Sequence, residues 1–340
     1  GVEFIEFAAN ETEAEDLKML LASMGFAHAG RHIAKHVDLY RTGGVNIVVN
    51  TEREGFAHSA YLMHGTCVCD IGLKVEDAQA TVERARALGA EPFAQPVGPG
   101  ELKIPAIRGV GGGLMHFVDD KSELAKVWET EFTPVTARGT PDMGITHIDH
   151  LGQTMNYEEL LTWLLFYTTL FDTRKTPMLD VVDPAGLVRS QVIENDSGTI
   201  RFTLNGADQR STLAGHFISE SFGSSVQHIA FASSDIFRTA EALKATGFAF
   251  LEISSNYFAD LQARFGLDDA FVNALRAGNI LYDRDGEGEY FQLYSSLYGD
   301  GFFFEIVERR NGYNGYGAPN AQFRIAAQKR SLRDRKIPAR

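Results

Sequence analysis

Only two of the 340 residues are cysteine, Cys67 and Cys69. At i, i+2 in a strand their side chains share one face, where a disulfide between them would be strained. This excludes a disulfide-stapled fold and points to a reduced, cytoplasmic setting. No apolar run approaches the roughly 18 residues of a membrane span, and no charged-then-apolar segment opens the chain, so neither a membrane partner nor secretion is expected. Positive charge is scarce too: 32 Lys and Arg stand against 45 Asp and Glu, a formal net charge of −13. Such a surface opposes a phosphate backbone, and nucleic acid is not an expected partner. Residues 324–340 hold seven Lys and Arg against Asp334 and read as a solvated basic tail. An initiator Met is missing as well; the chain begins at Gly1 with strand-like sequence, as expected of a segment cut from a longer polypeptide.

What is present is said twice. At 44% hydrophobic and 23% charged residues the chain is an ordinary globular one with room for about two domains. Residues 67–93, CVCDIGLKVEDAQATVERARALGAEPF, lie over 225–251, SVQHIAFASSDIFRTAEALKATGFAFL; each is an apolar strand, an acidic helix start, an amphipathic helix and a closing Gly. The strand openings VEFIEFAAN and ITHIDHLGQ match likewise, as do GGLMHFVDD and GFFFEIVER.

The coarse order is strand, helix and a run of strands, repeated. A strand at 2–9 leads to a helix from about 12 to 24, ended by Gly25. Residues 36–52 read as a hairpin around Thr42-Gly43-Gly44. The glycines of GVGGG, 109–113, do not stand between a strand and a helix, so they read as a tight turn and not as a phosphate cradle. The Pro/Gly/Thr-rich segment FTPVTARGTPDMG suits a linker at 132–144. This divides the chain into a scaffold domain at 1–131 and a second domain at 145–323 ahead of the basic tail. Residues 256–285 insert extra helix into the second half, and an insertion of this kind often covers a site. Trp163, Phe166, Tyr167 and Phe171 recur at helical spacing as a core-facing stripe.

The two copies differ in chemistry. At three matched positions the first half is read as Phe7, Asp70 and Phe117 where the second has His150, His228 and Glu305. A lone His in an apolar strand, such as His147 or His64, is a satisfied core residue more often than a ligand. For the trio the balance reverses, because each member interrupts a strongly apolar strand and Glu305 within FFFEIVE has no cation near it on its face. A buried carboxylate left in that state costs several kcal/mol, so coordination or protonation must compensate. Two imidazoles and a carboxylate from separate strands form a facial triad, the arrangement of non-haem Fe(II) oxygenases. Zn²⁺ with a hydrolytic water remains open on spacing alone. The first half, lacking such a set, is expected to be a silent scaffold.

Several segments carry a resemblance: GVEFIEFAAN, GRHIAKHVDLYRTGGVNIVVN, GPGELKIPAIRGVGGG, HIDHLG, VQHIAF and FFFEIVERR. With them the chain resembles the 4-hydroxyphenylpyruvate dioxygenase family of the vicinal oxygen chelate superfamily over nearly its full length. DPAGLVRS, DDAFVNALRAGNILYDRD and GYNGYGAPN resemble in particular the dioxygenase-like domain fused behind a barrel in bacterial 3-dehydroshikimate dehydratases. The resemblance implies an α+β fold of paired βαβββ modules, each half an open barrel of mixed sheet with outer helices. It implies Fe(II) on His150, His228 and Glu305, and substrate contacts from Ser190, Asn205, His216, Gln227, Gln292, Tyr294 and Asn320. His216 stands where the family has another Gln, Tyr294 where it has Phe, and Ala321, after a matching Asn320, where it has the aromatic that closes over the substrate. The implied reaction is decarboxylation and ring hydroxylation of an aromatic 2-oxo acid by dioxygen. The alternative is a metal-binding appendage of a fused dehydratase, acting on a shikimate-pathway compound or serving a structural role. A fused N-terminal barrel and further copies of the chain are the expected partners.

Overall fold

The computed structural model describes residues 1–136 and 139–336, with side chains as far as Leu332. The first element pair shows how local sequence sets the architecture. Strand Val2–Ala8 ends at Asn10, whose side chain accepts from the Glu13 N–H at 2.7 Å and caps the helix Glu11–Ser23. Ala14, Leu17 and Leu21 fall on one stripe of that helix and are fully buried. Gly25, at φ +82°, turns the chain out of it. The expected hairpin forms from Val37–Thr42 and Val45–Asn50. Helices that the sequence reading did not resolve, Gly55–His64 and Leu213–Glu220, follow the matching strand of each half.

Each half carries one mixed sheet with the same central order. In the first it runs Leu114–Val118, Cys67–Lys74, Val2–Ala8, Val45–Asn50; in the second Phe303–Arg310, Ser225–Ser233, Ile145–Asn156, Arg201–Ala207. The middle pair is antiparallel and its two flanking pairs are parallel in both halves. The halves match down to the irregularities. Glu6 faces Asp70 and Phe7 faces Val68, skipping Cys69; Gly152 faces His228 and Gln153 faces Val226, skipping Gln227.

This register corrects two of the expected counterparts. Asp70 does match His228, but His150 corresponds to Phe4 and Glu305 to His116. The sequence similarity of the first strands lies three residues away from their structural equivalence, and an odd shift along a strand exchanges its two faces. Phe7 and Phe117 therefore point into the apolar core, Phe7 edge-on to Phe302 at 5.4 Å and Phe117 to Phe171 at 6.2 Å. That core is continuous between the halves, with Phe26 against Phe231 at 5.5 Å and Gly44 N–H donating to Thr146 O at 2.7 Å. Gly43, at φ +52°, lies so close to the second half that a Cβ would meet Ile145 O at 2.3 Å.

Two boundary expectations are corrected. Phe132–Pro134 is not linker: it pairs with Gly30, Arg31 and His32 as an edge strand of the first sheet. The basic tail is not free at its start, because the helix Ala318–Lys336 runs through Arg324; residues 137–138 and 337–340 lie outside the described residues. The inserted segment forms helices Ser255–Phe265 and Asp269–Gly278. Among the described residues no helix is long and apolar enough to cross a membrane.

Glu6 is pushed up from 4.5 to about 7, first by burial and next by the Asp70 carboxylate. The folded state thus holds this proton more tightly than the unfolded chain does. The associated stability is complete below about pH 4.5 and is lost as the pH rises through about 7. Glu6→Gln, which keeps the acceptor for Asn50, is expected to raise the thermal midpoint at pH 8 and change it little at pH 4. The gain is on the order of 2 kcal/mol. Thermal melts of both proteins across this range check it; an equal effect at both ends would refute the assignment.

Candidate metal centre

Three adjacent strands bring the trio together on the concave face of the second sheet. His150 comes from Ile145–Asn156, His228 from Ser225–Ser233 and Glu305 from Phe303–Arg310. Glu305 Oε2 lies 3.4 Å from His150 Nε2 and 3.8 Å from His228 Nε2, and one donor atom from each residue falls within 4.8 Å of the others. All three are buried. Gly152 opposite His228 is required, since a Cβ there would sit 1.9 Å from the imidazole Cε1.

Neighbouring groups aim these donors. The register slips between Ile148 and His150, leaving Asp149 as an extra residue, and its Oδ1 lies 2.8 Å from His150 Nδ1. With Nδ1 engaged, Nε2 is the nitrogen left for coordination. Asp149 in turn accepts from Arg309 Nε and Nη2, both at 2.9 Å, and from Arg201 Nη1 at 3.3 Å. The Arg309 guanidinium lies between the rings of Tyr290 and Tyr316, 4.6 and 4.8 Å from their centroids. On the other flank Gln292 Nε2 donates to Glu305 Oε1 at 2.9 Å. Asn320 Nδ2 donates to Gln292 Oε1 at 2.9 Å and Tyr257 Oη to Asn320 Oδ1 at 3.0 Å. Tyr257 belongs to the inserted helix, so the insertion supports the Glu305 carboxylate through three hydrogen bonds. His228 Nδ1 has no hydrogen-bond partner among the described residues; its ring is held by stacking on Phe303 at 4.9 Å.

The electrostatics suit a divalent cation. Burial pushes the His228 imidazole down to about 3, leaving a neutral nitrogen donor. For Glu305 burial acts upward, but the His150 hydrogen bond and the two imidazoles together hold the carboxyl below its ordinary value. Two imidazoles and one ionised carboxylate, converging with no fourth His, Cys, Asp or Glu in the group among the described residues, fit a metal that keeps open positions.

The expected substrate contacts separate into groups. Ser190, Asn205 and Thr154 are register partners on three neighbouring strands, and Thr154 Oγ1 donates to Gln227 Oε1 at 2.8 Å. Gln227 is the bulged residue beside His228, so a polar row leads from Ser190 to the metal site. Tyr294 lies opposite Glu305, its hydroxyl 2.7 Å from Gln292 Nε2. Gln292 is engaged with Glu305, and Asn320 with Gln292. His216 stands apart on the helix Leu213–Glu220, 3.7 Å from Glu220. Sequence reasoning missed Asp149, Arg201, Arg309 and Tyr316. The first and third were visible as the polar neighbours in HIDHLG and FFFEIVERR. It also placed Arg324 in the tail, whereas its guanidinium lies 5.0 Å from the Phe303 ring and 5.7 Å from that of Tyr294.

The duplicated sheets and the triad on one of them define a chain of the glyoxalase/dioxygenase class. The family model described as Glyoxalase/Bleomycin resistance protein/Dioxygenase superfamily matches residues 147–287, and that of the hydroxyphenylpyruvate dioxygenase N-terminal domain matches residues 1–133. A 4-hydroxyphenylpyruvate dioxygenase of a Pseudomonas species is 31% identical over 330 residues, 94% of this chain and 91% of that protein. The chain belongs to the 4-hydroxyphenylpyruvate dioxygenase family. A 3-dehydroshikimate dehydratase of Pseudomonas putida is 41% identical over 328 residues, 96% of this chain and 52% of that protein. The chain thus spans about half the length of that relative. Among solved structures, a xylose isomerase-like TIM barrel/4-hydroxyphenylpyruvate dioxygenase fusion protein superposes with a TM-score of 0.85 at 41% identity, over 97% of this chain and 52% of the other.

Proposed function

We propose that the second half is an Fe(II)-dependent oxygenase acting on an aromatic 2-oxo acid, coupling loss of the side-chain carboxyl to hydroxylation of the ring. The observation that carries this is the convergence of His150 Nε2 and His228 Nε2 on Glu305 Oε2 at the end of the Ser190, Asn205 and Gln227 row. Bound Fe(II) would supply redox capacity and open positions for dioxygen and a chelating 2-oxo acid. The chain's own work is positional. Asp149 fixes the His150 ring, Gln292 turns one Glu305 oxygen away and leaves the other for the metal, and the polar row would orient the substrate's oxygens. Tyr294 and Phe303 would line the apolar side, with Arg324 of the helix Ala318–Lys336 lying over both rings.

One observation favours a second reading. Arg324 brings a positive charge over Phe303 and Tyr294, beside the metal ligands, where a phenyl ring would lie. Together with the half-length match to 3-dehydroshikimate dehydratases, it favours a metal-binding domain fused behind a barrel and acting on an anionic shikimate-pathway compound. Anaerobic Fe(II) reconstitution followed by oxygen-uptake measurements with 4-hydroxyphenylpyruvate, phenylpyruvate and 3-dehydroshikimate separates the two. Stoichiometric uptake with a 2-oxo acid, modest for 4-hydroxyphenylpyruvate and raised about tenfold or less by Ala321→Phe, is the expected result. Full iron loading with no uptake on any 2-oxo acid would overturn the first reading.

A further inference from the structure

The first sheet curls around a cavity of about 900 Å³, with a side chamber of about 310 Å³ sharing Lys35, His116 and Glu131 with it. Its floor is the face that bears the metal ligands in the other half: Phe4 and Asp70 take the positions of His150 and His228, and His116 that of Glu305. Glu6 replaces Gly152, so the first half has two carboxylates where the second has one imidazole above a glycine. Asp70 is only 3% exposed. One of its oxygens bonds to His116 Nδ1, and the other, Oδ1, has no hydrogen-bond partner among the described residues. Glu6 Oε1 accepts from Asn50 Nδ2 at 2.8 Å, and burial and the Asp70 carboxylate push this carboxyl up although the His116 imidazole, paired with Asp70, and Lys35 act against it, so two carboxylates share one close cationic partner.

The Lys and Arg side chains lining the cavity are committed elsewhere. Lys35 pairs with Glu101 at 3.1 Å, Glu131 faces His32 at 3.3 Å, and Arg108 lies on the rings of Phe56 and Phe93 at 5.0 and 4.8 Å. A buried carboxylate oxygen without a donor is costly unless something supplies one. Among the described residues the only ligand atoms that gather tightly enough for a metal ion are those of His150, His228 and Glu305. The missing donor is therefore better supplied by a ligand's own N–H groups. Phe4, Trp128 and Phe132 offer aromatic walls that suit both an apolar body and a cation.

We propose that the first half is a second ligand-binding domain whose cavity takes a small primary amine, its ammonium seated on Asp70 and Glu6 and its apolar body against Phe4, Trp128 and Phe132. The site is separate from the metal centre, and the proposal does not depend on which reaction the second half performs.

The test uses the full, metal-loaded chain and two pairs of probes: 2-phenylethylamine and tyramine, against the uncharged 2-phenylethanol and the anionic phenylacetate. Calorimetry or saturation-transfer NMR should show saturable binding of the amines and at least tenfold weaker binding of the alcohol and the acid. Asp70→Asn should weaken amine binding about tenfold or more, the value of a hydrogen bond to a charged group. Glu6→Gln, which keeps the Asn50 contact, should weaken it less, and it decides the matter if loss of the Asp70 charge prevents folding. Bound metal should be unchanged in both, and His228→Ala should bind amine like the parent. Equal affinity for amine and alcohol, binding that survives in both carboxylate variants, or binding lost in His228→Ala would each overturn the proposal.

Discussion

Replacing His228 by Ala is expected to lower divalent-metal affinity by more than about 100-fold and to abolish any oxygen-dependent turnover. Substituting a group that merely orients a ligand already costs 10- to 100-fold, and here one of three ligands is removed outright. Titration of metal-free protein with Fe(II) under anaerobic conditions, with bound metal quantified after desalting, gives the comparison. Asp149→Asn should lose about 10- to 100-fold, because it weakens the hold on His150 but leaves all three donors in place. The pH dependence has a definite sign. In the metal-free protein burial pushes His150 down, but Asp149 and Glu305 together raise it above its ordinary 6.5. A proton therefore competes with metal for His150, and affinity should fall as the pH drops through that raised value. His228, pushed down to about 3, does not compete near neutrality. Unchanged metal content in His228→Ala would remove the site from this face of the sheet.

The duplication, the two-sheet architecture and the gathering of His150, His228 and Glu305 were legible because each rests on a pattern of period two or on a polar residue in an apolar strand. Register was not. VEFIEFAAN and ITHIDHLGQ align by similarity with Phe7 on His150, yet the backbone puts Phe4 there. Hydrophobic residues occupy both faces of these strands, so the apolar pattern does not distinguish them. The same limit hid the bulges. Only the backbone shows that Gln227 and Asp149 are the residues skipped by the ladder, which lets each act beside the histidine it precedes in sequence. Gln292 and Asn320 were read by resemblance as substrate contacts. The structure shows Gln292 hydrogen-bonded to Glu305, Asn320 to Gln292 and Tyr257 to Asn320, links that join a strand, a helix and the inserted segment and leave no local signal in the sequence. Composition misled at one point: Arg324 belongs to a basic run, but its guanidinium lies against the buried Phe303 ring, on a helix that carries most of the rest of that run in its later residues.

Arg309→Met should destabilise the protein by about 3 to 5 kcal/mol, the cost of stripping one partner from a buried ion pair. Asp149 is 3% exposed and takes both of its shortest cationic contacts from this guanidinium, with Arg201 farther off at 3.3 Å. Arg309 also donates to the carbonyls of Tyr313 and Gly315, so its loss frees the loop that brings Tyr316 against His150. The two contributions can be separated by pH. Burial alone would raise the Asp149 carboxyl, but the His150 hydrogen bond and the charge of Arg309 hold it well below its ordinary 3.8. A carboxyl depressed in this way stabilises the fold above its unfolded value, and that contribution is lost as the pH falls below it towards the folded one. The cost of Arg309→Met, measured by denaturant unfolding of metal-free protein, should therefore be largest at pH 6 and above and shrink near pH 3. The double variant Arg309→Met with Asp149→Asn should recover part of the loss at neutral pH, because it no longer buries an unpaired charge. If the double variant were as unstable as the sum of the two single ones, the loop carbonyls and not the carboxylate would be what Arg309 holds.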